Sequence, residues 1–220
     1  MFEMVESVNI LGVWVNKYTI DSLNESIKAT ILNGGKAVFP YVNAHGVNIA
    51  CESVEFRNYL NSTGCAFCDG HGAMLGSQIL GNRLPQKITY AHWFPLFCDY
   101  AQENGFSIFL LGSKPGIAEE AKKKLCESRP ELKVCGVHHG YFDKTVDSVE
   151  NLSVIDQINA VKPNVLLVSF GMPMQEKWLS ENWDKIDANV ALTGGAAIDY
   201  MAGVSHRPPR WMTDHGLEWF

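Results

Sequence analysis

From Gly105 onward the chain repeats one unit: a continuous apolar run, a glycine turn, then an amphipathic stretch. Residues 106–111 run into Gly112, residues 165–170 into Gly171, and residues 189–192 lead to Gly194-Gly195. A strand that is apolar on both faces is one covered by helices on both sides, and strands that alternate with helices pair in parallel. The expected fold class is therefore α/β, a Rossmann-like, mostly parallel sheet flanked by helices. The connecting helices carry their own signals. One over 117–128 places Glu119/Lys123 and Glu120/Lys124 at i,i+4 on its wet face. Another, opened by Asp147 or Ser148 and followed by Pro163, has Leu152, Ile155 and Ile158 as its buried positions.

The first hundred or so residues are less regular. Residues 8–15 are apolar around Gly12, and a turn at Asn16-Lys17 into Tyr18-Thr19-Ile20 predicts a small N-terminal β element. Asp21 or Ser22 then caps a helix with Leu23, Ile27 and Ile31 on one face. Residues 37–43 read as a strand made irregular by Pro40, and 47–60 as a helix. A helix over 92–103 carries Trp93, Phe94, Phe97 and Tyr100, which need a core or an interface; left exposed, Trp93 and Phe97 would favour a homo-oligomer.

Function is sought where such a sheet binds ligands, beyond the carboxyl ends of its strands. Glycines there let backbone N–H groups at helix starts approach a phosphate, so Gly112, Gly171 and Gly194 together favour a nucleotide or other diphosphate. At the end of the short apolar run 64–67, Cys68-Asp69-Gly70-His71-Gly72 delivers a lone carboxylate to the same edge, and Asp69 is the candidate catalytic base. The densest polar information follows Gly171: Gln175-Glu176 open a helix, Asp199 follows Gly194-Gly195, and Arg207-Pro208-Pro209-Arg210 presents two cations on a stiff segment.

Composition narrows the classes. With 220 residues and 46% hydrophobic content the chain can bury a full core as one domain, residues 1–220. A net charge of −6, without a run of basic residues, disfavours nucleic acid as a partner. Glu3, Glu6, Lys17 and Asp21 break the opening stretch, which reads as neither signal peptide nor membrane span, so a cytoplasmic location is expected. Cys65-Ala66-Phe67-Cys68 has CxxC spacing but lacks a second pair, so its thiols read as structural rather than as a zinc or redox site. His138-His139 read as lining a loop. The GxSxG, GxxxxGK[ST], HExxH and GxGxxG patterns do not occur, nor does an Asp-x-Asp pair that would hold a metal on a diphosphate, so no metal and no cofactor are expected.

Taken in order, Asn43-Ala44, Asp69-Gly70-His71-Gly72, 109–112, Gly140-Tyr141-Phe142, 171–178, 194–199, Ala202-Gly203, 207–211 and 216–219 resemble the motifs of the WecG/TagA/CpsF family of bacterial glycosyltransferases. The resemblance covers the chain from about Val8 to its end. It implies transfer of a sugar from a UDP-sugar donor to a saccharide acceptor, commonly one linked to a polyprenyl diphosphate lipid, in building cell-surface polysaccharide or teichoic acid. It also implies inversion at the anomeric centre without a metal, at the inner face of the cell membrane. On the family's motifs Asp69 falls on the proposed base. Asn43, the pair Gln175 and Glu176, and Gly194, Gly195 and Asp199 fall on further family motifs, and with Gly70, His71, Gly112, Gly171 and Arg207 they are the candidate substrate-binding residues. The chain departs where the family often has threonine (Tyr41), Arg-Val-x-Gly-x-Asp (residues 87–92) and lysine (Met174). N-acetylmannosamine is the leading donor sugar, with another hexose or a hexuronic acid open. Relatives continue past Phe220 into a basic tail, through which contact with the membrane is expected. The alternative to an enzyme is a non-catalytic nucleotide-sugar-binding subunit.

Overall fold

The computed structural model describes residues 5–205. Five parallel strands form the main sheet in the order β3 (Ala37–Phe39), β9 (Val190–Thr193), β8 (Val165–Ser169), β6 (Ser107–Gly112), β7 (Lys133–His138). Alternate residues supply its two faces. Ile108, Leu110, Val165 and Leu167 pack with α1 (Ile20–Leu32), α5 (Tyr90–Glu103), α6 (Ile117–Ser128) and α9 (Ala197–Ala202). Phe109, Leu111, Leu166 and Val168 pack with α7 (Val149–Val161) and α8 (Met174–Asn182). The chain leaves β6 by α6 on one face and reaches β8 by α7 on the other, so β6 has β7 on one side and β8 on the other. The crevice at the carboxyl ends of β6 and β8 is therefore the sheet's topological switch point.

The N-terminal half differs in detail from its sequence pattern. β1 (Ser7–Ile10) and β2 (Val13–Asn16) form an antiparallel hairpin whose turn is Leu11-Gly12, both at positive φ (50° and 93°), the twist-matched geometry for a two-residue loop. Asn16-Lys17 is not the turn, because the Asn16 N–H is taken by the Ala66 carbonyl. Neither Asp21 nor Ser22 is the N-cap. Thr19 is: its Oγ1 accepts from the Ser22 N–H while Ser22 Oγ accepts from the Thr19 N–H, a reciprocal capping box.

The strand expected over 37–43 breaks at Pro40. Lacking an N–H, Pro40 cannot continue the ladder to β9, and its carbonyl instead accepts from the Phe67 N–H at 3.0 Å. β4 (Tyr41–Val42) thus peels away and pairs in parallel with β5 (Phe67–Cys68). The helix expected over 47–60 is two, α2 (Ala44–Glu52) and α3 (Val54–Thr63), divided at Ser53, whose Oγ caps the second. The hairpin, α2, α3 and α4 (His71–Ile79) enclose a smaller core of their own.

Trp93 and Phe97 are completely buried, the indole N–H donating to Asn24 Oδ1 at 2.9 Å. The surface on which self-association was expected is thus core, each such ring contributing about 1.5–3 kcal/mol of burial. On α7 the buried positions are Asn151, Val154, Ile155 and Ile158, and Leu152 faces solvent. Among the described residues no helix is long and apolar enough to cross a membrane.

Candidate active site

The break at Pro40 is what builds the site. By pairing β4 with β5 it ends two short parallel strands side by side, one followed by Asn43 and the other by Asp69, whose N–H donates to the Val42 carbonyl at 2.9 Å. Asn43 caps α2, its Oδ1 accepting from the Gly46 N–H at 2.9 Å. Gly70 follows Asp69, and α4 starts at His71. The two helix starts meet so closely that a Cβ on Gly72 would lie 2.6 Å from Ala44 Cβ, so only glycine allows the approach. Asn43, Asp69, Gly70 and His71 are thereby brought together at one rim.

Lys87 completes this rim; in the sequence it stands only as a departure from a family motif. The Ile88 N–H donates to the Cys68 carbonyl, laying residues 87–88 along β5, and Lys87 Nζ lies 3.0 Å from His71 Nδ1. The adjacent Cys68 thiol is pushed up to about 12, first by burial and then by the Asp69 charge, with Lys87 opposing. Cys65 also sits above the usual thiol range through burial. Thiols so disposed are poor nucleophiles.

The second rim is the switch point. Gly112 passes so close to the Ser169 carbonyl that any side chain would overlap it. Ser113 follows at φ 60° and its Oγ donates to Asp199 Oδ1 at 2.5 Å, tying the end of β6 to the first turn of α9. Gly194 lies against Ser169 Oγ, and Gly171 precedes α8. Gly112, Gly194 and Asp199 are thus gathered around the ends of β6, β8 and β9. Gly171 follows the end of β8 with open space about it, and the side chain of the next residue, Met172, reaches the other rim, its Sδ 2.9 Å from where a Gly46 Cβ would be.

Gln175 and Glu176 are not on either rim; both are fully buried between them. Gln175 Oε1 accepts from the Gly195 N–H at 3.0 Å and its Nε2 donates to Glu176 Oε1 at 2.8 Å, which fixes the orientation of the amide. Burial pushes the Glu176 carboxyl up to about 7 against the hydrogen bond from Gln175. Its Oε2, with Tyr59 Oη, Tyr90 Oη and Ser169 Oγ, has no hydrogen-bond partner among the described residues. Tyr41 roofs this network: its N–H donates to Thr193 Oγ1, its ring packs edge-on to Tyr90, and a Cβ on Gly195 would stand 2.8 Å from its hydroxyl. Burial first, then the charges of Glu176 and Asp69, raise the Tyr41 phenol.

At the far edge of the sheet, a cavity of about 320 Å³ opens beyond β7, lined by His138, His139, Tyr141, Phe142 and Glu150. His138 and His139 stack at 4.5 Å, so the pair does line a loop. Lys144, which nothing in the sequence marked, lies over the rings of Phe142 and Phe170 and donates to the Gly140 carbonyl; burial lowers its pKa. Arg207 lies outside the described residues.

An open parallel sheet with its glycine loops gathered at the switch point, and a carboxylate presented on an auxiliary ladder beside them, defines an α/β enzyme acting beyond its strand ends. The chain belongs to the glycosyl transferase WecG/TagA/CpsF family, whose sequence model matches residues 8–220, and it is a glycosyltransferase. It is similar to the N-acetylglucosaminyldiphosphoundecaprenol N-acetyl-beta-D-mannosaminyltransferase of Staphylococcus aureus strain NCTC 8325 / PS 47, at 27% identity over 96% of this chain and 82% of the relative. The proteins of that name from strains COL and N315 match to the same extent.

Proposed function

We propose that this glycosyltransferase moves a sugar, N-acetylmannosamine as the leading reading, from a UDP-sugar to a saccharide carried on a polyprenyl diphosphate. The product would enter a cell-surface polymer such as teichoic acid, assembled at the inner face of the membrane. The name of the similar staphylococcal enzymes supports both the sugar and the lipid-linked acceptor. The observation that carries the reading is the separation of a carboxylate rim, Asn43 and Asp69, from a glycine rim, Gly112, Gly194 and Gly195, at one edge of the fold.

In this reading Asp69 takes the proton of the acceptor hydroxyl as its oxygen bonds to the anomeric carbon, and the bond from that carbon to the UDP oxygen breaks on the opposite face. Inversion follows from that opposition. The departing diphosphate is stabilised by backbone N–H groups at the start of α6 and by cationic side chains, with no metal assigned a role. Asn43 and His71 hold the acceptor beside Asp69, and Gln175 and Glu176 act from beneath by fixing the Gly195 loop.

The test is Asp69→Asn assayed against a panel of UDP-sugars with lipid-linked and short-chain acceptors. Turnover should fall about thousandfold or more while UDP affinity stays within a few-fold, because the base serves the acceptor and not the nucleotide. Near-normal turnover would remove Asp69 from the role. UDP binding by the wild type with no transfer to any acceptor would favour a non-catalytic binding subunit instead.

A further inference from the structure

α4 begins two residues after Asp69 and turns the wrong kind of surface outward. Its inner face is well held: Ala73 and Ser77 are buried, and Ser77 Oγ accepts from the Leu84 N–H at 3.2 Å. Its outer face carries Leu75 and Ile79, one turn apart, with Leu80 at the C-cap, and these are 57%, 76% and 45% exposed. A surface helix ordinarily puts polar residues there. The hairpin packs alongside, with Ile10 Cγ2 3.6 Å from the position of a Gly76 Cβ, and its tip adds Leu11, also exposed. Elsewhere Leu32 and Val204 are exposed singly and need no explanation, while Val149 and Leu152, one turn apart on α7, stand beside the cavity lined by His138 and Tyr141.

The charge around this patch is equally unusual. In a chain of net charge −6, no Asp or Glu occurs between Asp69 and Asp99, whereas Arg83 and Lys87 do, and Arg83 is exposed just past the end of α4. An apolar helix face followed by an exposed cation, Arg83, without anions in its own segment, matches the headgroup layer of an anionic bilayer. It matches a second copy of the chain less well. Four such side chains offer a few hundred Å², against about 800 Å² per partner in a stable protein–protein interface.

We infer that the outer face of α4, with the hairpin tip, seats the protein on anionic lipid. Leu75, Ile79, Leu80 and Leu11 enter the headgroup boundary, and Arg83 meets lipid phosphate. The choice of a membrane as partner rests on the reading of a lipid-linked acceptor. The geometry then gives it a purpose, since the helix in the lipid surface is the one that starts at the Asp69 rim.

The test is flotation of the full chain with vesicles that hold neither donor nor acceptor, so that its outcome is independent of whether transfer is ever observed. Wild type should float with phosphatidylglycerol-containing vesicles and much less with pure phosphatidylcholine. L75S/I79S should bind about tenfold more weakly, with an unchanged melting temperature and unchanged activity on a short-chain, water-soluble acceptor. R83E should weaken binding in low salt more than in about 0.5 M salt, where the reach of a surface charge is only a few Å. Three results would overturn the proposal: vesicle binding equal in wild type and L75S/I79S, no vesicle binding by wild type, or a wild-type dimer that L75S/I79S dissociates. A fourth is binding that disappears on removing residues 206–220 while L75S/I79S is silent, which would assign the contact to that segment.

Discussion

Two carboxylates follow strand ends in this molecule, and they live in opposite surroundings. Asp69 ends β5 at the rim of the auxiliary ladder, half-buried and beside two helix starts; Glu176 sits in the first turn of α8, fully buried. An acid at the rim can meet an acceptor hydroxyl. An acid in the core can act only through what it touches, here the Gln175 amide and, through it, the Gly195 N–H. A carboxylate after a strand is therefore not by itself a catalytic group, and the same motif chemistry serves positioning when the surrounding helices close over it.

The largest expected effect on this contrast is in turnover, with Asp69→Asn costing about a thousandfold and Glu176→Gln far less. If Glu176→Gln proved the more damaging of the two in turnover, the roles would have to be exchanged. Next in size is a pH effect confined to the core acid. The folded-state pKa of Glu176, about 7, lies above its ordinary value of 4.5, so the folded protein retains a proton that the unfolded chain releases. Its contribution to stability is full below pH 4.5 and is lost as pH rises through 7, a change of a few kcal/mol. Urea unfolding at pH 5.5 and 8.5 should show this decline in wild type, while Glu176→Gln, uncharged throughout, should show less of it. Parallel profiles for the two proteins would contradict the assignment.

Smaller effects test how each rim is built. Gly72→Ala places a methyl 2.6 Å from Ala44 Cβ and should cost about 1–3 kcal/mol in thermal or urea unfolding by forcing α2 and α4 apart. A loss of activity larger than the loss of stability would locate the damage at the Asn43–Asp69 rim. Smallest is Tyr41→Phe, which removes one buried hydroxyl from the Gln175 network and should cost about 1 kcal/mol. A change in preference among UDP-sugars in that variant, with stability nearly intact, would tie the departure at Tyr41 to donor choice.

The sheet was legible because its information is local. Residues 106–111 and 165–170 are apolar but for one serine each, Ser107 and Ser169, a pattern that fits a strand covered on both faces, and each run stops at a glycine. Asp69 was legible for the same reason, as a carboxylate at the end of such a run. Thr19, by contrast, was missed as a cap because Asp21 and Ser22 are equally good capping residues by type, and only the reciprocal bonds of Thr19 and Ser22 decide between them. Leu152 was assigned to the wrong face because residues 151, 154, 155 and 158 define the stripe once a polar residue, Asn151, is admitted to it. Asn151 is buried because it donates to Asn182 Oδ1 and accepts from the Trp178 indole.

The sequence alone determined that this chain forms a parallel α/β sheet and that Asp69 stands at the carboxyl end of a short apolar strand, since residue periodicity, glycine and proline act within a few positions. Tertiary structure decided the rest. Pro40 releases β4 toward a partner strand some 25 residues away, setting Asn43 beside Asp69. Lys87 is folded back to His71 across 16 positions, and α8 takes Gln175 and Glu176 out of solvent. These depend on which distant surfaces exclude water from each other, a long-range balance that no local pattern encodes.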